Sequence, residues 1–270
     1  MKSNIYLKVA ISTLVLFLLN LIFNSKTPLN FNTIFWSFLS DLIIVSLLTY
    51  YILNSSLRRF KLVLTVFVIL FIIGSFNILI EAYIFNVTTR KETFIQIIKG
   101  FMVALIASPI FVLIFNKWKG DQNVIIFKSR SVFSWFWRIV VGIILYLFLY
   151  LTAGFILQAV YPELLEFYKD KIPPFDLMIY TQFLRGFIFG VVAILILRTL
   201  KTFQYKKAIY IGLVFAILGG IAPLIIPNEF MPHNIRMGHL FEVGISNFIY
   251  GFILAYLLGQ NRSSNVQDKL

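Results

Sequence analysis

Long apolar stretches recur along the chain, separated by short polar segments, and eight of them are long enough to matter. They cover residues 6–23, 33–53, 61–85, 94–115, 135–160, 177–197, 208–226 and 238–258. A bilayer core about 30 Å thick takes roughly 20 apolar residues per helix, and a helix satisfies its own backbone inside lipid. The pattern predicts an all-α integral membrane protein, a bundle of about eight transmembrane helices. The longest connections, 116–134 and 161–176, are too short to fold alone, so residues 1–270 read as a single polytopic transmembrane domain.

The first stretch follows Lys2 and Lys8 as a secretory leader would, but residues 24–28 offer no small-x-small cleavage site. It reads as a retained helix. Composition agrees with the class: 60% of the 270 residues are hydrophobic, 13% are charged and 30 are Phe, more apolar mass than one soluble core can enclose. With no Cys, disulfides, thiolate catalysis and Cys-ligated metal sites are excluded.

Lys and Arg fix an orientation, because they concentrate in cytoplasmic loops. Sixteen fall on the side of the N terminus: Lys2 and Lys8, then those between 58 and 61, between 117 and 138, and between 198 and 207, then Arg262 and Lys269. The opposite side holds six, Lys26, Arg90, Lys91, Lys169, Lys171 and Arg236. Both termini are expected in the cytoplasm (N-in/C-in), in a cell membrane. The net charge of +13 is spread over short juxtamembrane loops, which suits topology and anionic lipid and gives no compact nucleic-acid surface. Trp36, Trp118, Trp135 and Trp137 sit near predicted helix ends, as interfacial residues do.

On this topology the polar residues within the spans gather in the outer half. Asp41, Lys99, Arg185, His239 and Glu242 come early in inward helices; Asn20, Asn77, Glu81 and Gln158 come late in outward ones. Intramembrane charge is costly, so such groups pair or line a wet cavity. His239, Glu242, Ser246 and Tyr250 form one helical stripe with Asn247 beside it. Gly74, Asn77 and Glu81 share a face, and Thr181, Gln182 and Arg185 share another beside Gly186-x-x-x-Gly190, a small-residue pair that lets helices approach closely. The spacing places Glu81 and Glu242 around Arg185, and Asp41 could pair with Lys99, itself read as a snorkelling interfacial lysine.

Three function classes fit. A small transporter or permease would use these groups to bind a polar or anionic substrate. An intramembrane enzyme acting on a lipid or lipid-linked substrate would use Glu242, His239 and Glu81 in acid–base catalysis, with Arg185, Asn77, Asn247, Gln182 and Asp41 as the binding set. A non-catalytic scaffold or partner subunit would use them to hold helices together. His239-x-x-Glu242 with Glu81 forms a weak metal-ligand pattern, and no motif implies a cofactor. In the outer connections, 161–176 predicts a short interfacial helix ended by Pro173-Pro174, and 227–236 is the expected mouth of the site. A faint echo links Lys99-Gly100-Phe101, Arg185-Gly186-Phe187 and Asn247-Phe248, each a polar residue before Phe near the start of an inward helix.

Overall fold

The computed structural model describes residues 3–23, 30–119, 130–228 and 231–259. Every regular element among them is helical, and eight helices are long and apolar enough to cross a membrane. The chain is a multi-pass membrane protein. The spans are α1 (Ser3–Phe23), α2 (Phe31–Asn54), α3 (Arg59–Ile84), α4 (Arg90–Ile114), α5 (Val132–Val160), α7 (Phe175–Thr199), α8 (Gln204–Ile225) and α9 (His233–Leu258). A short helix, α6 (Pro162–Tyr168), lies between α5 and α7.

Each helix starts two to five residues before the apolar run that announced it, and several starts are capped by polar side chains. Asn30 accepts from the Thr33 N–H, Ser131 from that of Ser134, and Thr89 forms a reciprocal capping box with Glu92. These caps satisfy backbone donors that the first turn leaves free. Asn86 and Asn116, just past α3 and α4, take the left-handed conformation that ends a helix. Lys2, Lys26, Lys128, Arg262, Lys269 and the exit at 24–28 lie outside the described residues.

One end of the bundle gathers the C-terminal ends of α2, α4, α7 and α9. There Arg130 donates to the Leu258 carbonyl at 2.7 Å, Arg138 to that of Leu257 at 2.6 Å, Gln204 to that of Ala255 at 2.7 Å, and Lys117 to that of Leu53 at 3.1 Å. This is the proximal end; the opposite one is distal. Burial and the neighbouring Arg58 and Lys201 hold the Lys117 ammonium below its ordinary pKa. Trp135 and Trp137, in the first turns of α5, lie under the guanidiniums of Arg130 and Arg138 at 5.1 and 4.4 Å.

The four spans of each half are laid out alike. α1 packs on α2 and α4, and α3 packs on α4; likewise α5 packs on α7 and α9, and α8 packs on α9. Ser55 and Leu200, 145 positions apart, form an antiparallel bridge where the halves meet. Two reciprocal bonds flank it, Ser56 N–H to the Thr199 carbonyl at 2.7 Å and Lys201 N–H to the Asn54 carbonyl at 2.9 Å. Exchanging every residue for the one 145 positions away turns the first bond into the second. The same interval carries the start of α3 onto that of α8 and Gly74 onto Gly219. A Cβ on Gly74 would lie 3.7 Å from Leu218, and one on Gly219 3.7 Å from Ile73, the same contact seen from either half.

Both third spans also widen into a π-helical stretch at this interface, Ile69–Phe76 in α3 and Ile217–Ile221 in α8. Such stretches release backbone groups from the regular ladder. The expected echo at Lys99, Arg185 and Asn247 is not this repeat: 145 positions away stand Gly244, Ser40 and Met102.

The proximal half is closely packed. A Cβ on Gly251 would sit 2.9 Å from the Gly212 Cα, so α8 and α9 meet backbone to backbone. Tyr51, Phe111, Phe189, Phe215 and Tyr250 are fully enclosed. The Tyr51 and Thr199 hydroxyls share a 2.6 Å hydrogen bond, and Tyr210 donates to the Leu47 carbonyl at 3.2 Å. Large apolar side chains such as Phe136 and Phe148 of α5 are instead exposed and line no part of the distal cavity, as lipid contact requires.

Candidate functional site

A cavity of about 1190 Å³ occupies the distal half, and all eight spans contribute to its wall. Its deepest lining includes Leu16, Ile44, Leu70, Tyr146 and Tyr250; it reaches distal-loop residues Thr88, Ile172, Pro227 and Met231. No residue of the proximal connections lines it. Its surface is mostly apolar, and three groups of polar side chains stand out from the remaining polar lining, which includes Glu92, Gln96 and Lys99 of α4.

The first is Arg185, buried on α7. Its Nη1 donates to Glu81 Oε2 at 2.7 Å and to Gln182 Oε1 at 3.0 Å, and its guanidinium lies 5.7 Å from the centre of the Tyr146 ring. Gly186 makes room for this: a Cβ there would be 3.2 Å from Tyr146, and its carbonyl accepts from the Tyr250 hydroxyl at 3.2 Å. Gly190 has nothing within 4 Å of its missing Cβ, so close approach occurs at one end of the Gly-x-x-x-Gly pair.

The second is the α9 stripe. His239, Glu242, Ser246, Asn247 and Tyr250 all line the cavity, which is the face their spacing predicts. Glu242 does not join Arg185 as expected; its Oε2 lies 2.8 Å from His239 Nδ1, one helical turn back. The nearer partner on its own helix wins, because i, i+3 side chains already face each other. His239 Nε2 is buried without a partner, and the Tyr168 ring stands edge-on to its imidazole at 5.5 Å. Asn247 does structural work: its amide donates to the Phe215 and Gly219 carbonyls at 3.3 and 3.5 Å, beside the π stretch of α8.

The third is Asp41 on α2, whose Oδ1 accepts from Asn20 Nδ2 of α1 at 2.8 Å. Its expected pair with Lys99 is not made. Lys99 lines the cavity.

Two predicted binding residues lie behind the wall. Asn77 and Gln182 are buried but do not line the cavity. Gln182 is turned to Arg185, and Asn77, one turn before the cavity-lining Glu81, is buried in the wall behind it. Among the described residues no group of three or more His, Asp and Glu could hold a metal ion. The third candidate ligand, Glu81, is committed to Arg185.

The short helix expected in 161–176 is α6, and it covers the distal end. Leu164 packs with Leu157 and Ile235, flanked by Tyr161, Tyr168 and Met231, and Glu163 accepts from Asn234. Burial, with Glu81 and Glu242 nearby, pushes the Tyr168 hydroxyl above its usual range, so it is a neutral donor. Pro227, Asn228 and Met231 line the mouth; residues 229 and 230 lie outside the described residues. The following helix begins at His233 instead of Gly238, which buries Arg236.

Sequence reasoning missed the tyrosines. Tyr146 and Tyr150, one turn apart on α5, line the cavity. Their signal was an i, i+4 pair of hydroxyl-bearing rings in a helix otherwise built of Phe, Leu and Ile. In charge, the lining holds Asp41, Glu81, Glu92 and Glu242 against Lys99, Arg185 and His239. The site is thus not a basic pocket, although the chain is basic. Comparisons with protein-family profiles, characterised proteins and solved structures find nothing similar, so function rests on this geometry.

Proposed function

We propose that the chain is a small membrane transporter whose distal cavity binds a polar solute carrying an apolar part. The observation that carries this reading is one blind cavity, formed by all eight spans, where two similarly laid-out halves meet and closed beneath by packed core. Repeats that enclose a site between them can rock about it and open it to either side in turn. The two π stretches in contact at the interface supply a deformable seam. On the basic-residue count, both termini lie in the cytoplasm and the cavity faces outward.

The charge of the lining refines the substrate. Arg185 is already neutralised by Glu81 and held by Gln182, which leaves it a poor site for a free anion. Carboxylates and tyrosine hydroxyls around apolar walls suit a neutral or cationic head group on an apolar body.

Alternating exposure is the test, and a chain without Cys is suited to it. A single cysteine replacing Ser246 in the cavity should react with an impermeant maleimide from the distal side. One replacing Thr49, buried in the proximal half, should react slowly from the proximal side, and a bound solute should change both rates. A Thr49→Cys protein that never reacts from that side, under any solute or gradient, would remove the transport reading. Intramembrane catalysis is favoured by one observation alone, the His239–Glu242 pair with its unpartnered Nε2, and lipid turnover by the reconstituted protein would be its mark.

A further inference from the structure

We propose that Asp41 is the seat of a monovalent cation, either a proton or an alkali ion, which reaches it from the distal cavity. Asp41 is 3% exposed. Asn20 bonds one carboxylate oxygen, and the other, Oδ2, is buried with no partner at all. Leaving such an oxygen charged and unpaired in an apolar interior is expensive. The usual remedy is a basic side chain, and here there is none: among the described residues no Lys, Arg or His lies within ion-pair distance of it. The charged and titratable groups sharing its cavity are Glu81, Glu92, Lys99, Arg185, His239 and Glu242. Arg185 and His239 are engaged by Glu81 and Glu242. The positive charge that Asp41 needs therefore comes from outside the chain.

The surroundings suit a small hard cation. Asn20 spends its amide nitrogen on Asp41, leaving its own carbonyl oxygen available. Ser37 and Ser40 line the same wall; Ser40 donates its proton to the Ala222 carbonyl at 2.9 Å, so its oxygen faces any further partner as an acceptor. Oxygen ligands of this kind are what a proton or an alkali ion takes, as hard cations do.

A second set of observations extends the site downward. The Asn20–Asp41 bond sets the level at which antiparallel α1 and α2 stand side by side. Followed toward the proximal end, that register brings Ser12 and Thr13 to the depth of Leu48 and Thr49, since both helices rise about 1.5 Å per residue. The hydroxyls of Ser12, Thr13 and Thr49 are all buried and all without partners. Buried hydroxyls are normally satisfied. Three such exceptions at one depth below an unpaired carboxylate mark the helix pair along which the cation would continue in the proximally open state.

The test uses purified full-length protein in nanodiscs, with no gradient and no flux, so that it is independent of whether the chain transports anything. Equilibrium binding of radioactive sodium is measured at alkaline and acidic pH. In parallel, infrared spectra of protein carrying carboxyl-labelled aspartate report whether a buried protonated Asp is present. Asp41 is the only buried Asp among the described residues, Asp176 in the first turn of α7 being exposed, so the band of a buried protonated carboxyl can be read from wild-type protein alone. Saturable sodium binding at one per chain, competed by protons and weakened about tenfold or more in Asp41→Asn as a charge-assisted contact is lost, establishes the alkali ion. A labelled, protonated carboxyl band without sodium binding establishes the proton. An ionised Asp41 carboxylate together with no sodium binding overturns the proposal. Should Asp41→Asn fail to fold, the isotope-edited spectrum and the sodium isotherm of the wild type still decide it.

Discussion

The ion pair between Arg185 and Glu81 yields a sharp prediction, because its two members differ in exposure. Arg185 is closed off, with 4% of its side chain accessible, whereas Glu81 keeps 30% toward the cavity. Replacing Arg185 by Met fills much of the same volume against Tyr146 but strands the Glu81 carboxylate and the Gln182 carbonyl. Breaking a fully buried pair costs about 3–5 kcal/mol; cavity water around Glu81 screens part of this, and about 2–3 kcal/mol is expected. Glu81→Gln instead leaves a buried guanidinium with a weaker, neutral partner, at a comparable cost. In the double variant Arg185→Met/Glu81→Gln neither charge remains, so its loss should be smaller than the sum of the single losses by about 1.5–2.5 kcal/mol. Equilibrium unfolding of all four proteins in mixed micelles measures that coupling. Losses that add within about 0.5 kcal/mol would refute the pair as an energetic unit and leave Arg185 as a residue held by packing alone.

Four further outcomes follow. Gly251→Leu should abolish stable assembly, since its Cβ would sit 2.9 Å from the Gly212 Cα, while Gly190→Ala, with nothing within 4 Å, should unfold like wild type; detergent stability of the two compares them. Glu242→Gln should lose solute binding in a thermal-shift titration yet unfold within about 1 kcal/mol of wild type, because Gln keeps the shape beside His239. Tyr168 is raised above its ordinary pKa in the folded state, so its contribution is complete below about pH 10 and is lost as pH rises through the folded value; Tyr168→Phe should flatten that alkaline decline in an unfolding series. Reporters fused to each terminus should both be active only on the cytoplasmic side, and opposite locations would mean that one of the eight helices does not span.

The spans were legible because bilayer thickness acts on each apolar run separately, and no tertiary knowledge is needed to read a length. The α9 stripe was legible for a similar reason: a regular helix carries spacing into direction. Where regularity fails, the reading failed. The π stretch in α3 shifts the register between Gly74 and the segment that carries Asn77 and Glu81, and nothing in Ile-Leu-Phe-Ile-Ile-Gly-Ser-Phe announces a wider turn. Partner choice was also hidden. Three carboxylates and three bases at one depth admit several pairings, and which ones form depends on rotations about each helix axis that hydropathy does not encode. Asp41, which could have paired with Lys99, accepts instead from Asn20, on a helix whose few polar groups gave little reason to expect it.

The repeat explains both why the site is asymmetric and why the sequence concealed it. At 145 positions' distance Glu81 corresponds to Ile226, Arg185 to Ser40, Asp41 to Gly186, His239 to Phe94 and Glu242 to Ile97. Every charged group of the cavity thus faces a neutral counterpart in the other half, while identities within the spans such as Phe38 with Phe183, Leu39 with Leu184, Gly74 with Gly219 and Leu79 with Leu224 are apolar or small, and the charged identities, Lys26 with Lys171 and Lys61 with Lys206, lie at or beyond the ends of the spans. Packing asks the same of both halves, because both close the same interface. Charge cannot be duplicated in that way: two copies of Arg185 or of Asp41 across one cavity would set like charges against each other in a poorly screened interior. An Asp41 that needs an external cation in one half, and an Arg185 satisfied by its own Glu81 in the other, are the two solutions that such a scaffold can hold at once. A rocking motion about the Ser55–Leu200 bridge would then move a cation site and an internally neutralised site in opposite senses, which is the arrangement that lets one bound charge bias which side is open.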